Sequence, residues 1–92
     1  MNRAEFEARC RAEGYADIVE RELAGGTVTP MHTHDFDAQL LVIGGEITIA
    51  RDGAAQAYRA GDSCEVPAGT RHEERVGPAG VHYLAGRRHT AG

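Results

Sequence analysis

The residues best suited to chemistry in this chain are His32 and His34, in the stretch Gly26 to Gly45, GTVTPMHTHDFDAQLLVIGG. Side chains of an extended segment alternate faces, so two histidines two residues apart point to the same side and one metal ion could meet both. A third histidine would be needed to make this more than a pair. The chain offers one at the end of Gly61 to His72, GDSCEVPAGTRH. The same alternation puts Glu74 and Val76 on the face of His72 and turns Arg75 outward. Glu74 is therefore the best general acid or base in the sequence, unless the strand frays and leaves it in water.

The two stretches together resemble the two motifs of the cupin family. The first motif, a glycine, five residues, HxH, a glutamate after three or four residues and a closing glycine, reads here as Gly26, His32, His34 and Gly45. The second, a glycine, five residues, PxG, two residues, a histidine and an asparagine, reads as Gly61, Pro67, Gly69 and His72. Two positions depart from the pattern. Ala38 and Gln39 stand at the two glutamate spacings, and Val76 replaces the asparagine. The resemblance implies a small jelly-roll barrel in which His32, His34 and His72 bind one divalent transition metal (zinc, iron, nickel or manganese) at roughly 2.0 to 2.2 Å, with a position open for water or substrate.

The fourth ligand depends on strand register. If Gln39 faces inward, Leu41 and Ile43 do too, and the Gln39 amide oxygen completes the shell. If Ala38 faces inward, Leu40 and Val42 line the barrel and the shell holds histidines alone. The Asp35 to Asp37 turn can shift the pleat, so parity alone does not choose. Some cupins with HxH, four residues and a glutamine bind metal through that amide, which favours Gln39. Such a shell leaves the ion's double charge uncompensated and favours anionic ligands. Asp35 and Asp37 are expected to be solvated turn residues.

The resemblance further implies a metal-binding protein acting on a small carbonyl or carboxylate compound. Relatives include three-histidine iron dioxygenases, isomerases, and cyclases of uronate sugars with a histidine and glutamine shell. The alternative is a non-catalytic binding or sensing module, and a metal-free structural barrel comes last. Cys64 shares a face with Val66 and reads as a small apolar filler. Tyr83 reads as core, His82 as a weaker candidate for the pocket, and Arg71 and His89 as surface residues.

The positioning elements follow from pattern. Residues 1–14 form an N-terminal helix, with Asn2 as N-cap, Phe6 and Cys10 on one face, and Gly14 as stop. Residues 15–86 form the barrel. Tyr15 to Ala24 alternates as a strand with Val19, Arg21 and Leu23 on one face. Pro30 suits a sheet edge. The run Leu40 to Ile43 is expected to end in a turn at Gly44-Gly45, with Glu46 to Arg51 returning. Asp52-Gly53 is a hairpin signal leading to Ala54 to Arg59. His72 to Val76 and Val81 to Gly86 are strands separated by a loop at Gly77 to Gly80, and residues 87–92 are an exposed tail. Short strands with frequent turns argue an all-β barrel or sandwich.

Composition bounds the rest. Ninety-two residues suit one domain, and so small a core gains from a metal or a homodimer partner. A net charge of −4 gives no footprint for nucleic acid or anionic membrane. All 10 basic residues are arginine and Ser63 is the sole serine, so lysine and serine nucleophiles have little place. Cys10 and Cys64, without a leader or CxxC spacing, read as reduced cytoplasmic thiols. A small-molecule ligand is the expected partner.

Overall fold

In the computed structural model, which describes residues 1–89, the helix α1 (Arg3–Ala12) starts where the capping chemistry puts it. The Asn2 side chain accepts from the Glu5 N–H at 2.9 Å, and the Glu5 carboxylate accepts from the Asn2 N–H at 3.0 Å. Phe6 and Cys10, one turn apart, are fully buried. They pack with Tyr15, Leu41 and Leu84 on the outer face of the sheet. The approach is close: a Cβ on Gly86 would stand 2.8 Å from the Cys10 sulfur, so only glycine lets the helix sit this near.

The strands are β1 (Asp17–Leu23), β2 (Val28–His32), β3 (Phe36–Arg51), β4 (Ala54–Arg59), β5 (Ser63–Val66) and β6 (His72–His89), all paired antiparallel. The long strands β3 and β6 pair along most of their length and carry the others. The first half of β3 lies between β5 and the second half of β6, which β1 flanks. The second half of β3 lies between β4 and the first half of β6, which β2 flanks. The core draws on both halves, with Ala38, Leu40 and Tyr83 from one meeting Ile47, Ile49 and Val76 from the other. The sheet thus folds over its own core as a small jelly roll, not closed into a complete barrel.

Here two expected turns are corrected. Gly44-Gly45 and Gly77 to Gly80 do not separate strands. They are bends inside β3 and β6, marked by register shifts between Val42 and Gly44 and between Gly45 and Ile47. The reason is backbone contact: a Cβ on Gly45, which has φ 76°, would lie 2.0 Å from the Gly80 carbonyl oxygen. Each bend also switches the parity of the inward face, from Leu40 and Val42 to Ile47 and Ile49 in β3, and from Val76 to Val81 and Tyr83 in β6.

The tail is corrected as well. Residues Arg87 to His89 continue β6, where Phe36, Asp37 and Ala38 pair with His89, Arg88 and Arg87. Residues 90–92 lie outside the described residues. The Asp52-Gly53 hairpin forms as its sequence dictates, with both residues at positive φ. Among the described residues no helix is long and apolar enough to cross a membrane.

Candidate metal centre

β2 is an edge strand, which accommodates Pro30, and it delivers His32 opposite His72 at the start of β6. The two rings are anchored alike. His32 Nδ1 lies 2.7 Å from the Pro30 carbonyl oxygen and His72 Nδ1 lies 2.9 Å from that of Thr70. An imidazole that donates from Nδ1 to a carbonyl carries its lone pair on Nε2, the form that binds metal. His34, two residues beyond His32, stacks on Phe36 with ring centres 4.6 Å apart.

The nitrogens that could bind converge. Candidate ligand atoms of His32, His34 and His72 lie within 4.8 Å of one another. Nε2 of His32 and Nε2 of His34 are 3.1 Å apart. Two nitrogens at about 2.1 Å from one ion stand about 3.0 Å apart at a right angle and about 3.4 Å apart at a tetrahedral angle, so the contact fits a shared ion. The Nδ1 atom of His34 is buried without a hydrogen-bond partner among the described residues. Its ring therefore lacks the carbonyl anchor that holds the other two. Burial, followed by the neighbouring His72 and His32, lowers the pKa of His34 and keeps it neutral, the state a ligand requires. The three residues fit a divalent transition metal.

The turn Pro67 to Thr70 ties these pieces together. The Gly69 N–H donates to the His34 carbonyl at 2.9 Å, and the Thr70 carbonyl receives His72. The Asp37 carboxylate accepts from the Ala68 N–H at 2.9 Å and binds Arg88 through Nε at 3.2 Å and a terminal nitrogen at 2.9 Å. Asp37 is thus an anchor, where the sequence suggested a solvated turn residue. The Ala68 N–H, with Arg88 second, lowers its pKa.

Gln39 is not brought to the histidines, and the expectation that its amide completes the shell is corrected. Its side chain is fully buried on the helix side of the sheet. Its oxygen accepts from Arg9 Nε at 3.1 Å and its nitrogen donates to Glu13 at 2.6 Å. Ala38 faces the cavity instead, together with Phe36 and Leu40. The even-numbered side chains from His32 to Val42 keep one face, so the Asp35 to Asp37 segment does not break the alternation.

A cavity of about 240 Å³ opens onto His32 and His34. Glu74 borders it, as the alternation from His72 requires, with a carboxylate oxygen 3.9 Å from His32 Nε2. Tyr83 also borders it, and burial raises the pKa of its phenol. Arg21 and Arg87 border it as well. They were missed as site residues, although the strand face shared by Val19, Arg21 and Leu23 was the signal for Arg21. Cys64 packs against the core beside Tyr58, and burial pushes its thiol up to about 11. His82 pairs instead with Glu20 and borders a separate hollow at the strand bends. His89 is exposed and lies near Phe36.

Comparison with known proteins agrees with this geometry. The family profile described as "Cupin domain" matches residues 19–85. An RmlC-like cupin from Shewanella frigidimarina superposes with a TM-score of 0.68 at 26% identity, over 76% of this chain and 62% of that one. A Cupin 2 conserved barrel domain protein from Salinispora arenicola gives 0.67 at 25% identity, over 77% and 60%. KdgF from Halomonas sp. gives 0.67 at 20% identity, over 79% and 68%, a likeness of fold. The chain spans about three fifths of the length of the first two. No curated protein sequence matches it.

Proposed function

The chain belongs to the cupin family, and from that premise we propose that it is a metal-dependent protein that binds and transforms a small carbonyl or carboxylate compound. The observation that carries this reading is the convergence of ligand nitrogens of His32, His34 and His72, of which His32 and His34 border a cavity that Glu74 borders too. One divalent ion of zinc, iron, nickel or manganese would supply a Lewis acid there. With Gln39 turned to the helix, the histidine and glutamine shell of the uronate cyclases no longer supports an analogy. A three-histidine shell remains, compatible with isomerase-like or dioxygenase-like chemistry.

The chain's own residues have distinct tasks in this proposal. Glu74 takes or gives the proton at the carbon next to the substrate carbonyl, from its place 3.9 Å from His32. Tyr83 stays protonated because burial opposes its ionisation, and so serves as a hydrogen-bond donor. Ala38, Leu40 and Ala85 give the cavity an apolar wall that limits water. A cytoplasmic homodimer with no nucleic-acid or membrane partner completes the proposal.

The test is hydrogen exchange in deuterated water, followed by NMR, of small oxo acids with metal-loaded protein, with oxygen uptake measured in parallel. Exchange or oxygen uptake that Glu74→Gln abolishes while metal stays bound supports the reading. Ligand binding without exchange, rearrangement or oxygen uptake would make the protein a binding module instead.

A further inference from the structure

The charge of the side chains that border a cavity sets the sign of the ligand it attracts. On β1 and the second half of β6 the cavity is bordered by Leu23, Tyr83 and Ala85 and also by Arg21, which is exposed to solvent, and Arg87, which is half-buried. Arg21 stands opposite Tyr83 across the β1–β6 pair. The Arg87 guanidinium lies 5.1 Å from the centre of the Phe36 ring, which stacks on His34. Arg3, Arg59, Arg75 and Arg88 each pair with a carboxylate. Of the arginines that form no ion pair among the described residues, Arg21 and Arg87 are the two that border the cavity.

From this we infer that Arg21 and Arg87 form an anion subsite of the cavity, and that the ligand is a short dicarboxylate with one carboxylate on the arginines and the other toward the histidines. The inference deepens the proposed function and rests on it for the end that faces the metal. In strand register the two arginines are four residues apart, about 13 Å at about 3.3 Å per residue, so Arg21 stands beside Tyr83 and Arg87 beyond Ala85 on the wall of the one cavity. Glu74 is the only carboxylate bordering that space among the described residues. Two guanidinium groups and a divalent ion outweigh it, so a dianion is the complementary ligand. The cavity, about 240 Å³, is smaller than the roughly 300 to 1,000 Å³ that holds drug-sized ligands, which suits a short chain.

Succinate, malonate and the neutral dimethyl succinate test the subsite by calorimetry and amide-shift NMR, on metal-loaded and on metal-free protein. Wild type is expected to bind a diacid and not the diester, with shifts at Arg21, Tyr83 and Arg87. Arg21→Gln and Arg87→Gln each weaken the diacid about tenfold, the scale of a lost charge-assisted contact, without lowering the melting temperature appreciably. Arg87→Lys restores part of the loss. Equal binding of diacid and diester, diacid affinity unchanged in both glutamine variants, or no diacid binding by wild type would overturn the inference. Arginine-dependent diacid binding by a protein that takes up no metal would defeat the proposed function and leave the subsite standing. Metal uptake with arginine-independent diacid binding would do the reverse.

Discussion

Asp37 touches none of the three histidines, yet its carboxylate holds the turn that orients two of them. It accepts the Ala68 N–H at 2.9 Å, while the next residue, Gly69, donates to the carbonyl of His34, and Thr70 receives the His72 ring. Groups that orient metal ligands typically govern affinity by about tenfold to a hundredfold. Asp37→Ala should therefore weaken metal binding by about tenfold with every ligand intact. Competition against a chromophoric chelator reads this directly, and unchanged affinity would show that the turn holds its shape without the carboxylate.

The same carboxylate gives an acid dependence of definite sign. The Ala68 N–H and Arg88 lower its pKa below the ordinary 3.8, so its contribution to stability is complete above that value. It is lost as the pH falls from there through the lower folded value. Urea denaturation at a series of acid pH values should show wild type losing more stability over this window than Asp37→Asn, which has no carboxylate to protonate. Parallel curves would rule the coupling out.

Gln39→Leu should leave metal uptake unchanged and lower stability by about 1 to 2 kcal/mol, because Arg9 and Glu13 lose their shared partner beneath the helix. Loss of metal from a variant that still folds would return Gln39 to the metal shell.

Gly45→Ala should destabilise the fold by at least about 2 kcal/mol, measured by thermal or urea unfolding. Its φ of 76° and the Gly80 carbonyl 2.0 Å from the added Cβ leave no room for the side chain. A variant as stable as wild type would mean that the paired bends of β3 and β6 can open.

Much of this was legible in the sequence for local reasons. The histidines, Glu74 and the Asp52-Gly53 hairpin depend on spacing within one strand or turn, and Asn2, Phe6 and Cys10 on spacing within one helix. What failed depended on contacts between distant segments. Gly44-Gly45 and Gly77 to Gly80 have the composition of turns, and only their mutual packing makes them bends of continuous strands. Gln39 and Ala38 differ by one residue of register, and the polar groups that draw Gln39 away, Arg9 on the helix and Glu13 at its C-cap, lie about 30 residues earlier. The pairing of Phe36 with His89 likewise extends β6 past Gly86, where local pattern suggested a tail.

The tri-histidine centre itself is tested most directly by elemental analysis of untagged protein purified without chelator, beside His72→Ala prepared in the same way. A shared ion predicts about one equivalent of a first-row metal in wild type and its loss in the variant, with the variant still folded by circular dichroism. Metal absent from wild type even after reconstitution with zinc, iron, nickel and manganese, or retained in full by His72→Ala, would contradict it.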